Sequence, residues 1–240
     1  MNINDDAIIT LGQYDNYVRK HHNQMLKMND SEVKKILDYI ENFKKIKRKT
    51  PKIIGSTLEF IAFELFNQRY FDISINERTG VNEIDLVLDL SVTGHKLIND
   101  IPYYKGFPTS IIIESKNYKE TVDVTYVGKL ISLMKLASIK FGIFISYKGL
   151  TGRQNKSWYA AKGLTKMIAL TEKNIVDKCI ILDINIDDIK EFLEKDPNLL
   201  KYLHNKRKDF IKDLSRDFGY ITEHPLEKKI KMILTKKRRK

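Results

Sequence analysis

With one cysteine, one tryptophan and five prolines in 240 residues, this chain is short of several things that would define other classes of protein. Cys179 has no second cysteine to pair with, which excludes a small cystine-stapled scaffold. It lies in the apolar run Cys179-Ile180-Ile181-Leu182 and reads as a buried small hydrophobe in a reducing compartment, so a cytoplasmic location is expected. No apolar stretch approaches the roughly 18 residues needed to span a bilayer. No charged n-region, apolar h-region and small-residue cleavage site opens the chain, so neither a membrane partner nor secretion by that route is expected. Internal repeats and low-complexity tracts are absent. The histidines show no metal-ligand spacing, since His21 and His22 are adjacent and His95, His204 and His224 are isolated. No zinc finger or helix-turn-helix can be recognised. Acid is also in deficit: 31 Asp and Glu stand against 43 Lys and Arg, a formal charge of +12 that favours a polyanionic partner, nucleic acid first. The excess is concentrated in Lys44-Lys45-Ile46-Lys47-Arg48-Lys49 and in Lys236-Lys237-Arg238-Arg239-Lys240, blocks that equally suit solvated tails.

At this length one domain with appendages can bury a substantial core. Val33, Ile36, Leu37, Ile40 and Phe43 recur at helical spacing over 31 to 46, with Ser31 or Asp30 suited to cap the start and Thr50-Pro51 to break the pattern. Leu58, Ile61, Ala62, Leu65 and Phe66 predict a second helix carrying Glu59 and Glu64. Residues 71 to 77 and Ile84 to Leu90 predict two strands joined by a turn at Thr79-Gly80. Thr93-Gly94 and the stretch from Asn99 to Pro108 read as an irregular excursion. Thr109 to Ser115 then predicts a strand covered on both faces. A helical stripe through Val127, Leu130, Ile131, Met134 and Ala137 leads to the apolar strand Phe141 to Ser146. Strand, helix, strand implies a right-handed crossover and a parallel pair. A helix around Lys156 to Gly163, a strand from Lys178 to Ile184, and a helical region from Asp187 interrupted by Pro197 and Gly219 complete the pattern.

The chemistry concentrates at Glu114-Ser115-Lys116, at the end of the run Ile111-Ile112-Ile113. A strand alternates its side chains, so Glu114 and Lys116 share a face while Ser115 points to the other. With Asp85 alongside, two carboxylates suit a hard divalent cation, and the lysine suits a water held beside it. Taken alone, E-x-K equally fits an exposed ion pair at a strand end. Lys148, Arg153, Lys156 and Lys162, which follow the Ile143 strand, suit either phosphate contacts or plain surface solvation. Trp158 and Tyr159 suit either base stacking or the core.

In order, the motifs are Leu58-Glu59, Glu83-Ile84-Asp85, Glu114-Ser115-Lys116-Asn117-Tyr118, Gly142-Ile143-Phe144-Ile145-Ser146 and Ala160-Ala161. In this arrangement the chain resembles the PD-(D/E)xK nucleases, and within them the Mrr-like restriction endonucleases, over about residues 53 to 186. The resemblance implies an α/β fold with a restriction-endonuclease-like mixed central sheet flanked by helices and extended by helical N- and C-terminal regions (1–52, 53–186 and 187–240). It implies that Asp85 and Glu114 are metal ligands with the Ser115 carbonyl, that Lys116 acts at the attacking water, and that Glu59 sits behind them. Mg2+ would be the cofactor, with Mn2+ able to substitute, and double-stranded DNA the substrate. Cuts on two strands favour a homodimer, and a restriction or phage-defence enzyme is the expected role. A junction-resolving nuclease and a catalytically silent nucleic-acid-binding module are the alternatives. One departure is that Asn82-Glu83 replaces the glycine that the family carries near the strand acid, leaving Glu83 as an added ligand, a supporting group or an ordinary strand-start acid.

Overall fold

The computed structural model describes residues 24, 26–45, 51–78, 83–116, 121–152, 160–172, 174 and 177–217. Among these, seven α-helices flank one five-stranded sheet in the order β1-β2-β3-β4-β5. The strands are β1 Phe71–Arg78, β2 Glu83–Leu90, β3 Ser110–Lys116, β4 Phe141–Ser146 and β5 Ile180–Asn185; the helices are α1 Asp30–Lys45, α2 Pro51–Phe66, α3 Val92–Asp100, α4 Val124–Leu136, α5 Ala161–Leu170, α6 Ile186–Lys195 and α7 Leu199–Asp217. β1, β2 and β3 run antiparallel in sequence, whereas β3, β4 and β5 are parallel. The sheet is therefore mixed, and β3 is the strand where the two modes meet. The fold is α/β and restriction-endonuclease-like, as the motif order implies.

Alternation along the strands sorts the core into two layers. The register aligns Leu86, Ile113, Ile143 and Leu182 in one row across the sheet. That row is buried with Ile36, Ile40 and Phe43 of α1, Leu58, Ile61 and Leu65 of α2, and Ile189, Leu193, Leu199 and Leu203 of α6 and α7. The neighbouring residues Val87, Ile112 and Ile181 point the other way, onto Val127, Leu130 and Met134 of α4 and Ala161 of α5. Sheet strands covered on both faces read as near-continuous apolar runs, which is why β3 and β4 were visible in the sequence.

Local signals fix the boundaries. Asn29, rather than Ser31 or Asp30, caps α1: its side chain accepts from the Glu32 N–H at 2.9 Å while the Glu32 carboxylate accepts from the Asn29 N–H at 2.8 Å. Pro51 opens α2, where its missing N–H is harmless. Asn185 and Asp188 form the same reciprocal cap on α6, and Pro197 lies between α6 and α7. The excursion expected at Thr93-Gly94 is instead helix α3, capped by Ser91, whose Oγ accepts from the Gly94 N–H at 3.2 Å and donates to the Arg69 carbonyl at 2.8 Å. Gly94 serves a close approach, because a Cβ there would sit 2.2 Å from the Tyr70 carbonyl oxygen. Cys179 is half-buried rather than buried, packed against the α4 side of the core. Thr79-Gly80 and Gly219 lie outside the described residues, as do His21, His22, His224 and the terminal basic block. No helix among the described residues is long and apolar enough to cross a membrane.

One buried group on α7 makes stability depend on acid. His204 is 3% exposed, neither ring nitrogen has a hydrogen-bond partner, and the rings of Tyr103, Tyr104 and Phe107 surround it at 4.9, 5.6 and 6.4 Å. Burial, with Lys208 and Arg207 nearby, pushes its pKa down to about 4. The unfolded chain therefore takes up a proton that the folded chain refuses, so this contribution to stability is complete above the ordinary histidine value and is lost as pH falls toward 4. Linkage sets the loss between pH 7 and pH 5 at about 2 kcal/mol. Urea midpoints measured at the two pH values should show it, and His204→Leu should flatten the difference.

Candidate active site

β2 delivers Asp85 and β3 delivers Glu114, Ser115 and Lys116. The pairing Leu86↔Ile113, continued one residue outward, sets Asp85 opposite Glu114, and the Ser115 N–H donates to Asp85 Oδ2 at 2.6 Å. On β3, Glu114 and Lys116 share a face as alternation requires, with Lys116 Nζ 2.6 Å from Glu114 Oε1. The ion pair is not the solvated one that an isolated E-x-K suggests: the Glu114 residue is only 2% exposed. Its second oxygen, Oε2, is buried without a hydrogen-bond partner. A second lysine, Lys129 from the middle of α4, reaches 3.9 Å from the same Oε1 with its side chain 39% exposed.

Burial and a neighbouring carboxylate both raise a carboxyl's proton affinity. Burial first, and Asp85 second, hold the Glu114 carboxyl above the usual carboxylate range, against the pull of Lys116 and Lys129. For Lys116, burial works against the ammonium, but Glu114, Asp85 and Glu59 together outweigh it and raise the pKa above that of an ordinary lysine. Lys116 is thus a fixed positive charge in this state. Glu59, an exposed residue of α2, is the last of these pulls on Lys116.

The remaining sequence expectations divide. Ser115 is buried on the opposite side of β3 from Glu114. Lys148 is exposed in the loop after β4, a loop anchored at several points. Ser146 Oγ accepts from the Gly149 N–H at 2.8 Å, Asp183 Oδ2 accepts from the Leu150 N–H at 3.0 Å, and Leu150 bridges to Val122. Gly149 has φ +82°, and a Cβ there would lie 3.0 Å from Asp183 Oδ2. Lys162 lies 3.4 Å from Asp183 Oδ2 rather than standing alone. Arg153, Lys156, Trp158 and Tyr159 lie outside the described residues, and so does the side chain of Glu83, whose backbone pairs with Arg78 at the start of β2.

Sequence reasoning missed Lys129 and Asp183. Lys129 sits between Val127 and Leu130 of the buried stripe, and its approach to Glu114 depends on how α4 folds back over β3. Asp183 falls inside an apolar strand, where a single acid in the register row of Glu114 and Phe144 was the available signal.

Could this group hold a cation? Among the described residues no cluster of three or more His, Cys, Asp or Glu has metal-binding geometry. What converges is a pair of carboxylates, one with an orphaned oxygen, joined by lysines that neutralise them. Two carboxylates supplemented by a backbone carbonyl and water are a donor set for a hard, oxygen-seeking ion that retains part of its hydration, and the buried Oε2 of Glu114 gives that fit a structural basis.

No curated protein and no solved structure matches the chain significantly. The sequence model of the Mrr catalytic domain, described as a restriction endonuclease, matches residues 51–179. That span is more than half of the chain and runs from the start of α2 to the residue before β5, enclosing Glu59, Asp85, Glu114, Lys116 and Lys129. The chain therefore belongs to the Mrr-type restriction endonuclease family, and its core is a nuclease domain.

Proposed function

We propose that the protein is a Mg2+-dependent endonuclease that hydrolyses phosphodiester bonds of double-stranded DNA in a restriction or phage-defence system. The observation that carries the reading is the convergence of Asp85, Glu114 and Lys116 at the fork between β2 and β3, in a chain of the restriction endonuclease family. Asp85 and Glu114 would hold the cation, with the Ser115 carbonyl as the expected third oxygen. Bound there, it would supply Lewis-acid stabilisation at the phosphoryl oxygens and a lowered pKa for the attacking water. Lys116, kept positive by its neighbours, orients that water through its N–H groups and offsets negative charge on the phosphoryl oxygens in the transition state. Glu59 adds a smaller pull of the same sign to that of Glu114 and Asp85 on the Lys116 ammonium. The basic surplus supplies non-specific attraction to the backbone, and two strand cuts are served by two copies of the chain.

Retention of Asp85, Glu114 and Lys116 together favours an enzyme over a silent binding module. Incubation of supercoiled plasmid with the protein in Mg2+ and in EDTA separates the two. Nicked or linear product in Mg2+ alone supports the nuclease; a gel shift of intact plasmid, with no cutting in Mg2+ or Mn2+, supports the binding module and refutes the enzyme. Sequencing the products from methylated and unmethylated DNA would then define the site.

A further inference from the structure

Lys129 is poorly explained as a partner of Glu114. The oxygen it approaches, Oε1, is already taken by Lys116 at 2.6 Å, and 3.9 Å exceeds any hydrogen bond. Lys129 could have pointed wholly to water, yet it stands over the site from the flanking helix, with its side chain 39% exposed. Asp85 and Glu114 are formally cancelled by Lys116 and Lys129, so a divalent cation bound there would leave positive charge in excess at the site, and the oxygens of a phosphodiester are groups that would meet it.

Resting on the nuclease reading above, we infer that Lys129 is a phosphate-binding residue of this active site, which turns from Glu114 to a non-bridging oxygen of the scissile or adjacent phosphate of the DNA backbone. With a cation held by Asp85 and Glu114, Glu114 would no longer depend on Lys129 for its neutralisation, and the Lys129 ammonium would be left for the substrate. A phosphate contact of this kind is blind to sequence and adds to the salt dependence of binding.

The test compares wild type, Lys129→Gln and Lys129→Arg. Plasmid cleavage is followed in Mg2+, and binding of a duplex oligonucleotide is followed by fluorescence anisotropy over a salt series with Ca2+ in place of Mg2+. Lys129→Gln should lower kcat/KM by roughly 10²-fold and reduce the log–log salt slope of binding by about one, with Lys129→Arg restoring most of both. Mn2+ affinity, read by calorimetry without DNA, should be unchanged or tighter in Lys129→Gln. A role confined to neutralising Glu114 predicts an unchanged salt slope, and that result overturns the inference even if the rate falls. If wild type binds but never cuts, the nuclease reading fails while the salt slope still decides whether Lys129 meets phosphate.

Discussion

Asp85→Asn should slow plasmid cleavage in Mg2+ by about 10³-fold, roughly 4 kcal/mol of barrier, while leaving the fold nearly as stable as before. The substitution is chosen for what it keeps. An asparagine side-chain oxygen can still accept from the Ser115 N–H that Asp85 Oδ2 now engages at 2.6 Å, so the β2–β3 fork stays tied. What it removes is one of the two negative charges that would hold the cation. The loss also relieves Glu114 of its repulsive neighbour, so any stability change should be small. Quantified nicking rates alongside thermal melts check both halves, and cutting at the wild-type rate would sink the site assignment. Lys116→Ala is a blunter instrument. It leaves the nearly inaccessible Glu114 carboxylate with only the distant Lys129, and removing one partner of a buried pair costs about 3–5 kcal/mol in stability. Its effect on cleavage would be mixed with partial unfolding.

Gly94→Ala should destabilise the protein by about 3 kcal/mol, although alanine is the better helix former. The added Cβ would lie 2.2 Å from the Tyr70 carbonyl oxygen and 3.0 Å from Leu90 Cδ2. That carbonyl belongs to the backbone and accepts the Ser91 N–H at 3.1 Å, so it cannot swing aside without loosening the start of α3. The helix would have to lift away from the end of β2, disturbing Leu97 and Ile98 where they meet the core. Chemical denaturation reports the loss directly, and an unchanged midpoint would show that α3 can shift at no cost. The candidate site lies at the other end of β2 from this contact, so the residual folded protein should show the same proposed metal-dependent cleavage as the wild type.

These two residues also mark what could and could not be read in advance. Glu114 and Lys116 share a face because strands alternate, and the parallel pairing of β3 with β4 follows from the helix between them; both facts are local and so were legible. Asp85 came within reach because β2 and β3 are antiparallel, and the motif order anticipated that where periodicity alone did not. α3 was hidden since Thr93-Gly94 carries a turn-like signature, whereas the glycine answers a long-range contact with Tyr70 that no window of sequence contains. The Asn29 cap was missed by one residue, a matter of which side chain reaches Glu32. Lys129 was invisible for a different reason: a lysine beside a helical stripe usually reaches into solvent, and only the packing of α4 over β3 turns it toward an acid.

The larger apolar layer gives the motif-bearing stretch a dependence of its own. The family match spans residues 51–179 and encloses the side chains of the candidate site, yet Ile36, Ile40 and Phe43 before it and Leu182, Ile184, Ile189 and Leu203 after it close one face of the sheet on which those side chains are mounted. Recombination that transplanted the stretch alone would leave that face of the sheet uncovered.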